Sequence, residues 1–201
     1  MSLPLLARHP LERAAITDAI PLFVPAIPFG FVVGLAVTES EMPTWVAWST
    51  SLVIFAGASQ LAVVTLAGVA SVWAVMLAAL VINSRHVMYG AALAPRFRDQ
   101  PTWFKWLGPF LLIDQVFALV TVRHLDDAHR FRRYYMAIGV FFFVTWQVAV
   151  TAGMVIGPIV PESWRLDVAP AIMFTGLVVF GVTRMPMAVA ALVGALVSLA
   201  T

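Results

Sequence analysis

The sequence contains no cysteine and few charges. Without thiols the chain can form neither a disulfide framework nor a thiolate metal site, and the redox compartment stays open. Only 11% of its 201 residues are charged, against about a quarter in a soluble domain. The net charge of +2 is too small to indicate nucleic acid, and the pI near 9.5 comes from a few loop arginines rather than a basic patch. Walker loop, HExxH, GxSxG elbow and paired metal-ligand cluster are all missing, so no metal, no cofactor and no enzymatic chemistry is expected. His124 and His129 fall in a charged loop and read as solvated.

What is present is apolar: 62% of the residues are hydrophobic and the mean hydropathy is +0.95. This composition predicts an all-α polytopic membrane protein. Runs of about 20 apolar residues span a bilayer, and about seven candidates occur, transmembrane or partly re-entrant: 16–37, 45–69, 71–93, 106–123, 134–160, 169–183 and 185–200. The amino terminus lacks a signal-peptide cleavage pattern, so residues 1–15 read as a cytoplasmic amphipathic lead-in to a single transmembrane helical domain, 16–201.

Charges collect in two longer connections, 94–105 and 123–133, which flank one candidate span and are therefore expected on opposite sides. With the amino terminus inside, Arg8, Arg13, Arg123, Arg130, Arg132, Arg133 and Arg184 lie inside, and Arg96, Arg98, Lys105 and Arg165 outside, which favours that orientation. A re-entrant second segment would reverse everything after it.

Helix breakers concentrate in the first span, at Pro21, Pro25, Pro28, Gly30 and Gly34. Interior proline removes a backbone hydrogen bond, and lipid tolerates this only where the freed groups face protein or a wet cavity. A helix break around Pro25, Pro28 and Gly30 is expected. PAIPFGFVVGLAV from Pro25 is echoed by PAIMFTGLVVFGV from Pro170, consistent with an inverted repeat.

Polar residues fall at the middle of nearly every span: Gly57, Ser59 and Gln60; Asn83, Arg85 and His86; Asp114 and Gln115; Thr145 and Gln147; Thr175. A charge there costs roughly 3 kcal/mol, so such residues face the bundle interior or water. A shared level suggests a site near the midplane. Counting back from Leu93 and forward from Trp106 places Arg85 and Asp114 both roughly 12 Å deep at 1.5 Å per residue, which predicts an ion pair. Arg85 and Tyr89 share one face, and Asn83, His86 and Gly90 the adjoining one. Asn83 and His86 can be interhelical hydrogen-bond glue or part of a substrate or proton path. Gly57 and Ser59 can serve close packing, or form a break whose amides, with Gln60, bind a carboxylate. Trp45, Trp48, Trp73, Trp103, Trp106 and Trp164 read as an interfacial belt. Phe141, Phe142 and Phe143 read as packed or lipid-facing, and Trp146 sits deeper.

IPFGFVVGLAV (27–37), FAGASQLAVV (55–64), NSRHVMYGAAL (83–93), LIDQVFAL (112–119) and LVGALVSL (192–199) closely resemble the AzlC-type branched-chain amino-acid permeases, in order and spacing, from about residue 16 onward. The resemblance implies the large subunit of a two-component secondary transporter in a bacterial inner membrane, multi-pass, exporting Leu, Ile, Val and related apolar amino acids such as Met. Its usual partner is a small AzlD-type membrane subunit. Matching positions are Gly57, Ser59 and Gln60, then Arg85, His86, Tyr89 and Gly90, then Asp114. The substrate would be held by Gly57, Ser59, Gln60, Asn83, Arg85 and Tyr89, and protons would be coupled through His86 and Asp114 beside Arg85. A passive channel or uniporter, or a mainly structural subunit, are the competing readings. Gln115 stands where many relatives have a second acid, and Ser84 where a larger apolar residue is frequent. The chain stops soon after the seventh segment, where relatives usually continue for another hydrophobic stretch, expected to be missing here or supplied by the partner.

Overall fold

In a computed structural model of the protein, the described residues are 10–123, 125 and 127–159. The candidate segments at 169–183 and 185–200, the echo at Pro170, and Arg8, His124, Trp164, Arg165, Thr175 and Arg184 lie outside them. The described residues form helices and loops, with no strand among them.

Helix α1 (Pro10–Phe23) begins within the stretch read as a lead-in, and its Ala15 is fully buried. It meets α2 (Ala26–Glu39) at a bend of 63°. The break expected around Pro25, Pro28 and Gly30 falls at Val24–Pro25 alone. Pro28 sits in the first turn of α2, where a missing N–H leaves no helical bond unmade. Gly30 lies in regular helix against Ala149, whose Cβ would be 2.7 Å from a Cβ added at Gly30.

The second and fourth candidate segments do not cross. The second is two ten-residue helices, α3 (Thr44–Val53) and α4 (Gly57–Leu66), separated by extended backbone from Ile54 to Ala56. Each is about 15 Å long, half of a hydrocarbon core of about 30 Å. The chain returns to the end it left: Ser40, before α3, donates its hydroxyl to the Val64 carbonyl in α4 at 2.8 Å. Gly68 packs on the side chain of Glu41.

The fourth segment repeats this plan. Between them lie α5 (Val72–Asn83) and α6 (Arg85–Phe97), which meet at Ser84 and together form a 26-residue apolar stretch long enough to cross. Then α7 (Thr102–Phe110) and α8 (Asp114–Val122), nine residues each, are separated at Leu111–Ile113, just after Pro109. Gln100, before α7, donates to the Ala128 carbonyl, after α8, at 2.9 Å and accepts from Arg132 at 3.0 Å. Arg96 donates to the Val120 carbonyl at 3.1 Å. The loops at 94–105 and 123–133 therefore share one end of the molecule, not opposite ends, because α7 and α8 form a re-entrant hairpin.

Helix α9 (Ala128–Ile156) is 29 residues long, its first turn capped by Asp127, whose carboxylate accepts from the Arg130 amide at 2.7 Å. Its amino-terminal end is tied to α1 by Arg133 to Glu12 at 2.7 Å and by the Tyr134 hydroxyl, which donates to Asp18 at 2.9 Å; Arg123, at the end of α8, joins Asp18 as well at 2.7 Å. Its other end packs on α2 through Gly34 and Gly153, where a Cβ on either would collide with the facing backbone. Small residues of this kind let membrane helices approach closely.

These contacts fix the path. The bent pair α1–α2 crosses from the cationic end to the far end, and α3–α4 dips in and returns there. The pair α5–α6 crosses back, α7–α8 dips in from the cationic end, and α9 crosses again. Residues 10–66 and 72–122 thus contain the same parts, a broken span followed by a hairpin, in opposite directions. Among the described residues, this inverted arrangement lies between those two stretches.

Candidate functional site

The breaks in the four helical pairs meet at one place. A cavity of about 30 Å³ is lined by Phe23 and Ala26 from the first break, Phe55 to Ala58 from the first hairpin tip, and Ile113 to Gln115 from the second. Arg85 and His86 border it from the start of α6. The middle of α9 closes it with Phe142, Thr145, Trp146 and Ala149. Its free volume suits about one water, so it is closed to a ligand of larger size. A second, more open cleft of about 320 Å³ lies between the tips and α5–α6, lined by Val53 to Ala56, Asn83, His86, Pro109, Phe110 and Leu112. Phe55, Ala56 and His86 border both spaces and divide them.

The charged side of the cavity is one compact group. Arg85 Nη1 lies 3.1 Å from Asp114 Oδ2, and Tyr89 donates its hydroxyl to Asp114 Oδ1 at 2.8 Å while its ring stacks on Phe117. Asp114 is the first residue of α8, where the helix dipole favours a carboxylate. Arg85 and Asp114 were level by their depth in the sequence; the antiparallel run of α6 and α7 brings them together. His86 Nδ1 lies 3.1 Å from the Asn83 carbonyl oxygen.

The opposite side is neutral. Trp146 donates its indole N–H to Gln60 Oε1 at 3.0 Å, and Gln60 donates to Thr50 at 3.3 Å. Ser51 and Gln147 are bonded both ways, at 2.6 and 2.9 Å. Trp48 donates to Thr151 at 3.0 Å. The first hairpin is thereby fastened to α9. At its tip, a Cβ on Gly57 would lie 2.7 Å from both the Phe29 and Trp146 rings, so glycine is what lets the α4 amino end reach the aromatic wall.

The residues singled out in the sequence separate into two sets. Gly57, Arg85, His86 and Asp114 line the cavity. Ser59, Gln60 and Tyr89 do not: Ser59 and Gln60 are fully buried behind its wall and Tyr89 holds Asp114 from the side, so none of the three is placed to touch a ligand there. Asn83 faces the second cleft and donates to Ser59 at 3.1 Å, joining α5 to α4. Of the break residues, Pro25, Pro28 and Gly30 are absent from the lining, although Ala26 beside Pro25 is in it. Of the aromatic and alanine wall, only Trp146 stands out in the sequence, by its depth beside Gln147, as able to line a cavity; Phe29, Phe142 and Ala149 do not. Apolar residues in an apolar chain carry no signal until the fold brings them around a charge. Trp45, Trp73, Trp103 and Trp106 are exposed, as an interfacial belt requires.

Comparison with known proteins identifies this architecture. The family model described as AzlC protein matches residues 21–160. The chain belongs to the AzlC family. It is 32% identical over 127 residues to the Inner membrane protein YgaZ of Escherichia coli, covering 62% of this chain and 51% of that protein. An uncharacterized membrane protein of Archaeoglobus fulgidus is 26% identical over 181 residues, 90% of this chain and 78% of the relative. A further uncharacterized membrane protein, from Helicobacter pylori, is 30% identical over 114 residues, 55% of this chain and 48% of the relative. The chain thus spans about half the length of two of these curated relatives. No solved structure matches it. The AzlC match covers both hairpins, Arg85, Asp114 and all of α9, and the relatives' names place the family in membranes.

Proposed function

We propose that this AzlC-family chain is the large subunit of a secondary transporter that exports branched-chain and related apolar amino acids, coupled to protons, together with a small AzlD-type membrane subunit. The observation that carries the reading is the meeting of two hairpin tips, inserted from opposite ends, at a closed cavity with one ion pair and an apolar wall. Broken helices that end at a central site are the usual construction of secondary transporters, where helix ends serve charged groups without lipid-exposed backbone. A closed cavity suits alternating access better than a standing pore. Leu, Ile, Val and Met fit a wall of Phe29, Phe142, Trp146 and Ala149, and Asp114 with His86 beside Arg85 supplies the proton-accepting groups.

Charge supports an orientation in the inner membrane. All described lysines and arginines except Arg85 lie at the end that carries Arg13, 94–105 and 123–133, whereas the opposite end carries Glu39 and Glu41. By the positive-inside bias, the cationic end faces the cytoplasm.

The test is leucine efflux from preloaded proteoliposomes containing this chain, with and without an AzlD-type subunit, under a pH gradient imposed in either direction. Proton-dependent efflux that requires both proteins is expected. Absence of leucine movement from a folded, paired complex under every gradient would exclude the reading.

A further inference from the structure

The Arg85–Asp114 pair has the charge pattern of the ends of an α-amino acid, reversed. From this geometry we infer that the zwitterion inserts into the pair, its carboxylate on the Arg85 guanidinium and its ammonium on the Asp114 carboxylate, and that a proton and the substrate exclude each other at Asp114. The inference rests on the proposed transport of apolar amino acids and says how the site would recognise and couple them.

Three observations support it. The two side chains meet at 3.1 Å and both border the cavity, so a ligand reaching one reaches the other. They belong to separate elements, joined here only by the ion pair and the Tyr89 hydroxyl: Arg85 to the crossing pair α5–α6, and Asp114 to the tip of the α7–α8 hairpin. The tip can therefore withdraw while a ligand of matching polarity keeps both charges partnered. Finally, Asp114 has no competing fixed cation among the described lining residues. The titratable groups facing it all come from α6, namely Arg85, His86 and Tyr89. Helices α1 and α2, the first hairpin and α9 offer only aromatic, alanine, glycine and threonine side chains. A mimic lacking one of the two charges would leave Arg85 or Asp114 without a counter-charge, which a membrane interior penalises.

The aliphatic side chain would lie against Phe29, Trp146 and Ala149. The cleft of about 320 Å³ has the volume of a small-ligand site and adjoins the closed cavity across Phe55 and His86. It is the approach path once those two side chains turn. Release is an exchange at one carboxylate: the ammonium leaves Asp114 as the intact zwitterion, and a proton from the outer solution bonds to the vacated carboxylate, giving the neutral acid. No other bond changes. Transfer of that proton to the cytoplasm restores the ion pair, so one proton enters for each amino acid exported.

The test is ligand-induced thermal stabilisation of the detergent-solubilised chain, alone and with an AzlD-type subunit, with efflux measured beside it. The probes are leucine, leucinamide, which lacks the carboxylate, and 4-methylpentanoate, which lacks the ammonium. Leucine is expected to stabilise, and both analogues to bind at least about a hundredfold more weakly, as when a site built for a polar group meets a ligand without it. Leucine binding is expected to weaken as pH falls and to be lost in Asp114→Asn, with Arg85→Lys retaining part of it. Either analogue binding within about tenfold of leucine would overturn the insertion, as would unchanged leucine binding in a folded Asp114→Asn protein. Should that variant not fold, the analogue comparison on the wild-type chain still decides. Leucine efflux without discrimination against the analogues rejects the insertion and leaves the transport reading standing. Selective binding of the zwitterion without efflux rejects export and leaves the site.

Discussion

The two hairpins have the same plan and opposite chemistry at their tips. The first, α3–α4, ends in Gly57 and Ala58 and is fastened to α9 by neutral groups: Gln60 with Trp146, and Ser51 with Gln147. The second, α7–α8, ends in Asp114 and is held to α6 by an ion pair and the Tyr89 hydroxyl. Neutral hydrogen bonds cannot be released by a proton at ordinary pH, whereas a carboxylate's hold on arginine can. The first tip is thus held by groups that carry no charge and the second by an ion pair, and in the proposed cycle it is the second that a proton or a ligand would release.

The sharpest test of the common plan is all or none. The chain has no cysteine, so single cysteines report position without interference. Cysteines at Arg13 and Lys105 are expected to react with an impermeant maleimide from the same side, and a cysteine at Glu41 from the opposite side. Labelling of Lys105→Cys together with Glu41→Cys would restore a crossing fourth segment and end the comparison.

Next in size is the unequal cost of cutting the two attachments. Asp114→Ala leaves the partly buried Arg85 charge without its carboxylate and is expected to lose about 3 kcal/mol, the low end for a broken buried pair, seen as a drop in unfolding midpoint in detergent and partly recovered in the Arg85→Ala/Asp114→Ala double variant. Gln60→Ala strands the Trp146 N–H and is expected to lose about 1–3 kcal/mol. Equal losses would mean that the ion pair is no stronger a link than the amide. The Gln60→Ala protein should also keep the wild-type pH profile of efflux, because no titratable group is touched. The smallest effect expected is that of Tyr89→Phe, which keeps the ring on Phe117 and removes one hydrogen bond worth about 1 kcal/mol. It should displace the pH profile by less than about one unit, and no displacement at all would remove Tyr89 from the charged tip's support.

The same contrast shows what could be read before folding. The polar level at Gly57, Arg85 and Asp114 was visible because charge and glycine stand out in an apolar chain, and depth along a helix follows from a fixed rise per residue. Ser59, Gln60 and Tyr89 stood out equally, but whether a polar side chain meets a ligand or a neighbouring helix depends on its rotation, which the crowded apolar pattern leaves undefined. The fourth segment reads as a span, and the second leaves a re-entrant course open, for a related reason. Hydropathy reports that about 20 residues can lie in lipid, and two helices of nine or ten residues satisfy it as well as one helix of twenty. The bond that reveals the return, Ser40 to Val64, joins residues distant in sequence.

By itself the sequence determined that the chain is helical and membrane-embedded, since unpaired backbone in lipid permits little else, and that Arg85, His86 and Asp114 would share one depth. The tertiary structure decided which segments cross and which turn back, and so on which side Arg96, Arg98 and Lys105 lie. It also decided that Arg85 and Asp114 pair directly on one side of the cavity. Those outcomes depend on the packing of separate helices, where glycines at Gly34, Gly57 and Gly153 admit close approach and long-range hydrogen bonds select one arrangement from several of equal hydropathy.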